Sequence, residues 1–176
     1  MTAHLSPEQE VARYRLHRNS VEDEGYVRFL RPVVDCLKRT LPAGATVLDY
    51  GSGPTAVLVE LLTRAGFRTV AYDPFFAPEP DLTVPFDAIV STETFEHFRR
   101  PAVELDRIRA LLRPGGFLAV MTAWWTPGRD FRTWHYAADD THIAFYSETV
   151  FRHIAAVWGF GVIETNGKNL VVLAKG

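Results

Sequence analysis

Val47-Leu48-Asp49-Tyr50-Gly51-Ser52-Gly53-Pro54-Thr55-Ala56 is the stretch on which the reading of this chain turns. From Thr46 to Asp49 it is a short apolar run, strand-like, that ends on a glycine loop. Ala56 to Ala65 then carries apolar residues at helical spacing, closed by Gly66 just beyond the last turn. A strand, a glycine turn and a helix in this order form the first half of a parallel strand–helix–strand unit.

The same pattern repeats on the carboxyl side. Arg68 to Tyr72 reads as a second strand ending at Asp73-Pro74, and Phe86 to Ser91 as a third. Ala102 to Leu112 reads as a helix, stopped by Pro114-Gly115-Gly116, with Phe117 to Thr122 as a fourth strand. Glu148 to Trp158 is a helix capped by Ser147. Val162 to Thr165 and Asn169 to Ala174 flank Asn166-Gly167, a strong hairpin signal. Only twelve residues separate Asp73 from Phe86. A plain crossover of ~25–30 Å fits within their ~40 Å reach, but a further helix and strand do not. The expected fold is therefore α/β: a Rossmann-like, mostly parallel sheet of about six strands, with helices on both faces and an antiparallel C-terminal hairpin.

Toward the amino end, Ser6-Pro7-Glu8-Gln9 is a helix start, and a second helix begins near Glu22, with Tyr26, Phe29, Leu30, Val33, Val34 and Leu37 on one face. Pro42-Ala43-Gly44 breaks the chain. The expected organisation is one domain over 1–176, with a helical N-terminal extension or cap (1–44) and a Rossmann-like core (45–176).

Open sheets of this kind bind ligands beyond the carboxyl ends of their strands. The loop Gly51-Ser52-Gly53 lies there, with Asp73 twenty residues after Gly53, placed to bond ribose hydroxyls. By spacing alone this also matches the dinucleotide fingerprint. Asp49 favours a different ligand. A carboxylate at the mouth of the strand repels pyrophosphate but attracts S-adenosylmethionine, which carries a sulfonium and an ammonium. A carboxylate that only caps the loop, or for Asp73 the following helix, is the plainer reading of each.

With Val47 to Gly53, Tyr72-Asp73-Pro74, Phe86 to Val90, Glu93-Thr94-Phe95-Glu96-His97-Phe98 and Leu111 to Gly116 in this order, the chain resembles the class I S-adenosylmethionine-dependent methyltransferases, in particular their small bacterial type 11, 12 and 23 subgroups. The resemblance covers residues 46 to 122. It implies S-adenosylmethionine as cofactor. Asp49, Gly51, Ser52 and Gly53 would flank its methionine part, with Thr92 and Glu93 beside them. Asp73 would bond the ribose, and Pro74 and Phe75 would lie by the adenine. Many relatives place a further polar residue against the adenine amine, and the short connection after Asp73 lacks that position. In similar small methyltransferases an N-terminal segment folds over the cofactor. Here that segment is Arg13 to Ser20, which reads more as loop than helix, with Tyr14, His17, Asn19 and, beyond it, Tyr26 as the residues involved.

Glu93, Glu96 and His97 share a face if a helical turn starts at Glu93. With His142 they form a candidate site for a divalent metal. The set resembles that of metal-assisted small-RNA 2′-O-methyltransferases and ubiquinone-pathway O-methyltransferases, where the ion activates a substrate hydroxyl. Without metal, His142 or His97 is a candidate general base. Plain hydrogen-bonded loop residues are the third reading.

Trp124, Trp125, Phe131, Trp134, His135 and Tyr136 crowd the loop after the fourth strand. Trp134, Tyr136, Asp140 and Tyr146 are the candidate substrate contacts. A lid packed on the protein's own core, or a homodimer contact, uses the same aromatics.

Composition bounds the function. Net charge is -2, from 19 basic and 21 acidic residues, so a role built on gripping nucleic acid is not expected. There is one cysteine and no apolar run of membrane length, which leads to the expectation of a cytoplasmic location with no membrane partner. The expected function is transfer of a methyl group to a small-molecule acceptor, with an oxygen nucleophile. The rivals are a nicotinamide-dependent oxidoreductase, for which the chain lacks a Tyr-x-x-x-Lys pair, and a non-catalytic cofactor-binding subunit of a larger complex.

Overall fold

A computed structural model describes residues 5–16 and 19–176. In chain order these form α1 (Pro7–Tyr14), α2 (Glu24–Thr40), β1 (Thr46–Tyr50), α3 (Val57–Arg64), β2 (Arg68–Tyr72), β3 (Phe86–Thr92), α4 (Pro101–Leu111), β4 (Leu112–Met121), α5 (Glu148–Trp158), β5 (Phe160–Thr165) and β6 (Leu170–Lys175). Short 3-10 turns cover Phe95–His97 and His135–Ala138.

The six strands make one sheet in the order β2-β1-β3-β4-β6-β5. β2, β1, β3 and β4 run parallel, and β6 and β5 are antiparallel. This is the expected Rossmann-like sheet with its C-terminal hairpin. Among the described residues no strand or helix lies between β2 and β3. Asp73 and Ala77 exchange both backbone hydrogen bonds at 3.0 Å, which turns the chain directly after β2, and Leu82 packs back on the core.

Strand alternation divides the core into two layers. Leu48 and Tyr50 of β1, Ile89 of β3, Leu118 and Val120 of β4 and Val171 and Leu173 of β6 pack under α4 and α5. Val47, Ala88, Val90, Ala119, Met121, Leu170 and Val172 face α2 and α3. α2 is part of that second layer, since Leu30, Val33, Cys36 and Leu37 are fully buried in it. Only α1, which buries no residue, lies outside the layers, so the helical extension of 1–44 contributes one core helix and one surface helix.

Local chemistry accounts for the ends. Ser6 and Gln9 form a capping box on α1. Asp23, not Glu22, caps α2 by accepting from the N–H groups of Gly25 and Tyr26. In the β5–β6 hairpin, Asn166 Oδ1 accepts from the N–H groups of Lys168, Asn169 and Leu170. α4 ends at Leu111, and the Pro114-Gly115-Gly116 segment falls inside the strand that follows, where Gly115 has a left-handed φ of 71°. β4 therefore starts at Leu112, with an irregularity in its pairing to β3. No helix of the described residues is long and apolar enough to cross a membrane.

Candidate active site

The order of strands reverses between β1 and β3, and the carboxyl ends of β1, β2 and β3 open into a cleft of about 800 Å³. Asp49, Gly51, Ser52, Gly53, Asp73, Pro74, Phe75, Thr92 and Glu93 all line it, as do Tyr14, Asn19 and Tyr26 from the N-terminal segment. His17 lies outside the described residues. Arg13 and Tyr14, expected in a loop, complete the last turn of α1.

The loop is held by its backbone. The N–H groups of Gly51 and Ser52 both donate to the Tyr72 carbonyl, at 2.8 and 3.0 Å. Asp73 Oδ2 accepts from the Gly53 N–H at 3.0 Å, and its Oδ1 caps the N–H groups of Phe75 and Phe76. Asp73 thus caps a turn, not the helix weighed for it, with lone pairs left for a ligand in the cleft. Gly51 has φ 93°, and a Cβ there would stand 2.3 Å from the Thr94 side chain. Gly53 has φ 65° and open space where its Cβ would project, which leaves its backbone approachable. Gly51→Ala is therefore expected to lower Tm, with a loss of about 2–3 kcal/mol. Thermal denaturation checks this, and an unchanged Tm would refute the close packing of Thr94 on the loop.

Alternation along β1 sends Asp49 to the side opposite Tyr50, where its carboxyl is buried and Oδ1 has no hydrogen-bond partner. Burial, with repulsion from Asp73, pushes its pKa up to about 7. Glu93 is raised to about 8 by burial and by Glu96. No cation contributes to either shift. Asp49 and Glu93 both act on the Tyr26 hydroxyl, to which the Asn19 side chain is also bonded, so the two acids converge on one end of the cleft. Two carboxyls, one buried and one half-buried, on which no cation acts favour a positively charged ligand.

The region after β3 corrects one expectation. Glu93 is not the start of a helical turn. Its φ is 48°, held by an N–H bond of 2.7 Å to the Met121 carbonyl, and the turn begins at Phe95. Glu93 accordingly stands outside the group of potential metal ligands, which is Glu96, His97 and His142, with ligand atoms within 4.8 Å of one another. Glu96 is completely buried. The Tyr136 hydroxyl donates to its Oε1 at 2.5 Å and the Thr122 hydroxyl to its Oε2 at 2.9 Å. His97 Nδ1 lies 3.0 Å from the Thr141 carbonyl and His142 Nδ1 2.7 Å from that of Tyr136. A carbonyl only accepts, so each Nδ1 carries the proton and each neutral ring keeps its lone pair on Nε2. Burial pushes the His142 pKa below the usual histidine value.

Of the readings of the aromatic loop after β4, a substrate wall or a lid on the protein's own core, the burial fits the second. Trp134, Tyr136 and Tyr146 are buried, and none of them lines the cleft. Trp134 stacks on Tyr136, and the Tyr146 hydroxyl donates to the Phe95 carbonyl. Large apolar rings at this position gain more from burial against the protein than from standing in solvent. Asp140 is exposed, and its neighbour Asp139 lines the cleft instead. Also unforeseen in the lining are Glu10, Thr94, Phe98, Arg99, Val103 and Glu104. On the sequence Thr94 and Phe98 lie in the 93–98 segment with no role assigned to them, and the others are ordinary helix and loop residues with no motif to mark them.

With this geometry in place, residues 21–165 match the family model described as a methyltransferase domain. The chain belongs to the methyltransferase domain family. The resemblance to class I S-adenosylmethionine-dependent methyltransferases is thereby borne out. The methyltransferase is 34% identical, over an alignment of 122 residues, to a ubiquinone biosynthesis O-methyltransferase of Xylella fastidiosa, with 53% of this chain and 48% of that one covered. A ubiquinone biosynthesis O-methyltransferase of Nitrobacter winogradskyi is 29% identical, covering 46% and 39%. The chain thus spans about half the length or less of these curated relatives. In fold, the methyltransferase is similar to the 1,6-didemethyltoxoflavin-N1-methyltransferase of Burkholderia thailandensis, solved with S-adenosylhomocysteine, at 18% identity and a TM-score of 0.73, covering 99% of this chain and 93% of that one. The magnesium protoporphyrin IX methyltransferase of Synechocystis, solved with S-adenosylmethionine, gives 15% identity and a TM-score of 0.61, covering 97% and 92%.

Proposed function

We propose that this methyltransferase passes the methyl group of S-adenosylmethionine to an oxygen of a small-molecule acceptor, with His142 as general base. The observation that carries the reading is the pair of acids, Asp49 and Glu93, at the mouth of the glycine loop: the Asp49 carboxyl is buried with its Oδ1 unpartnered, and no cation acts on either acid. The cofactor's cations suit them, the orphaned Asp49 Oδ1 and Ser52 Oγ offer polar partners, and the open face of Gly53 admits close approach. Bound there, S-adenosylmethionine would supply a methyl group, the S–C bond breaking as the O–C bond forms. Asp49 and Glu93 hold the cationic end. Tyr14 stands edge-on to His97 and near Phe75, above the cleft, and narrows its opening. His142 Nε2, kept basic and neutral by its Nδ1–H bond and by burial, takes the acceptor's proton. The O-methyltransferase relatives support an oxygen acceptor.

Titration calorimetry tests this. S-adenosylmethionine and S-adenosylhomocysteine should bind and NAD should not, and the reverse would overturn the proposal in favour of an oxidoreductase.

The convergence of Glu96, His97 and His142 supports a second, metal-assisted reading. The donor set fits a divalent ion: two imidazole Nε2 atoms, each fixed by a carbonyl behind it, and a carboxylate steadied by two hydroxyls. An ion there would lower the pKa of a bound hydroxyl. The two readings exclude each other at His142 Nε2. Chelator-treated protein offered Mg²⁺, Mn²⁺ or Zn²⁺ decides between them: retention of one equivalent supports the metal, and retention of none leaves His142 as the base.

A further inference from the structure

The cleft has one boundary to which neither the glycine loop nor the histidine cluster contributes. On the α4 side it is closed by Tyr50, Tyr72, Phe98, Val103 and Glu104. Tyr50 and Tyr72 end adjacent parallel strands, with rings 4.8 Å apart, and Phe98 stands edge-on to Tyr50 at 6.2 Å. Glu104 is in the first turn of α4, half-buried, and the Tyr50 hydroxyl donates to its Oε2 at 2.5 Å. One turn on, Arg107 lies over the Tyr72 ring at 4.3 Å and donates to its hydroxyl at 2.5 Å. The Tyr50 hydroxyl thus holds the Glu104 carboxylate at the edge of the cleft, while Arg107 holds the neighbouring Tyr72.

Among the described residues, the chain between Asp73 and Phe86 adds neither strand nor helix beside this aromatic-walled compartment. The same cleft holds Asp49 and Glu93, suited to the cationic part of the cofactor, with Asp49 on the side of β1 opposite Tyr50. A molecule with its cations there and its ribose near Asp73 extends its purine toward the aromatic compartment. A purine is flat and apolar on its faces, which suits tyrosine and phenylalanine rings. Adenine carries at its edge an exocyclic N–H₂ donor, and an ionised carboxylate is acceptor-only.

We propose that Glu104, held in place by Tyr50, is the group that recognises the adenine amine, a specificity-determining residue supplied by α4 in place of the strand end that this chain omits. The proposal rests on S-adenosylmethionine as the ligand of the cleft. A carboxylate at that edge accepts from the adenine amine and repels the C6 carbonyl of hypoxanthine, so it selects one purine over the other.

The test is calorimetric titration with S-adenosylhomocysteine and with its inosine counterpart, in which a C6 carbonyl replaces the amine. The wild type should prefer the adenine ligand by about tenfold or more. Glu104→Gln, whose amide can also donate, should weaken the adenine ligand by about tenfold and shrink or reverse the preference. Tyr50→Phe should shift the preference the same way by less, since it only releases the carboxylate. If Glu104→Gln weakens both ligands equally, or neither, Glu104 is structural and the proposal is overturned. If the wild type binds neither ligand, the S-adenosylmethionine reading fails and the proposal falls with it. The purine preference separates the two cases.

Discussion

Asp49→Asn should lower the affinity for S-adenosylmethionine by on the order of 100-fold or more while the fold is kept. The side chain keeps its shape and loses only its charge. Removing one partner of a buried charge pair typically costs about 3–5 kcal/mol, which sets the scale. The apoprotein should respond in the opposite sense. The Asp49 pKa is raised to about 7 in the folded chain, so its neutral form is the one the fold favours. Relative to the unfolded chain, that contribution is complete below the ordinary aspartate value and is lost as pH rises through about 7. Above that pH the wild-type fold holds an unpaired buried charge, and Asp49→Asn should be more stable by roughly 2–4 kcal/mol at pH 8–9. A gain in Tm at alkaline pH together with loss of cofactor binding is the expected signature. Equal cofactor affinity in the two proteins would remove the charge argument.

The same linkage predicts how binding follows pH. A sulfonium and an ammonium beside Asp49 stabilise its ionised form, so binding expels a proton wherever the free group is protonated. Affinity should rise with pH up to about 7. Glu93, at about 8, carries part of the rise further. Below pH 7 the calorimetric enthalpy should depend on the ionisation heat of the buffer, and in Asp49→Asn that dependence should fall.

His142→Ala should lower kcat by on the order of 10²–10³-fold and leave the cofactor dissociation constant unchanged. The ring faces its neighbours with Nδ1 committed to the Tyr136 carbonyl, and Glu96, His97 and Asp139 set its electrostatics. The wild-type rate should therefore climb along an acidic limb centred below the ordinary histidine value, and that limb should be absent in the variant. Transfer of labelled methyl to a panel of phenols and carboxylic acids provides the assay. A pH profile of unchanged shape in His142→Ala would assign the base elsewhere.

The strand–glycine–helix unit at Val47 to Ala65, the later strands and the hairpin at Asn166-Gly167 were legible because each is a local pattern. Apolar spacing fixes the element, and glycine, proline or a capping side chain fixes its end. The six-strand count followed from chain length alone, since the connection after Asp73 is too short to hold more. Asp49 was legible as well, because it ends a short apolar strand just before the glycine loop.

Tertiary structure decided the rest. Trp134, Tyr136 and Tyr146 have the composition of a binding wall, but whether an aromatic ring faces a ligand or the core depends on what the sheet places beneath it. Here Glu96, Thr122 and Phe95 receive their hydroxyls or lie against their rings. Glu93 was misjudged as the first residue of a turn because a left-handed φ in a non-glycine residue leaves no trace in composition. Glu104 reads in sequence as one more solvated helix charge. It lines the cleft because β1 and β2 bring Tyr50 and Tyr72 beside α4 across more than thirty residues of chain, as the Arg107–Tyr72 contact shows. By itself the sequence determined the sheet, the glycine loop and the position of Asp49 before it, since these depend on neighbours along the chain. Which side chains surround that acid was decided only by the packing, because those contacts join residues that no local periodicity connects.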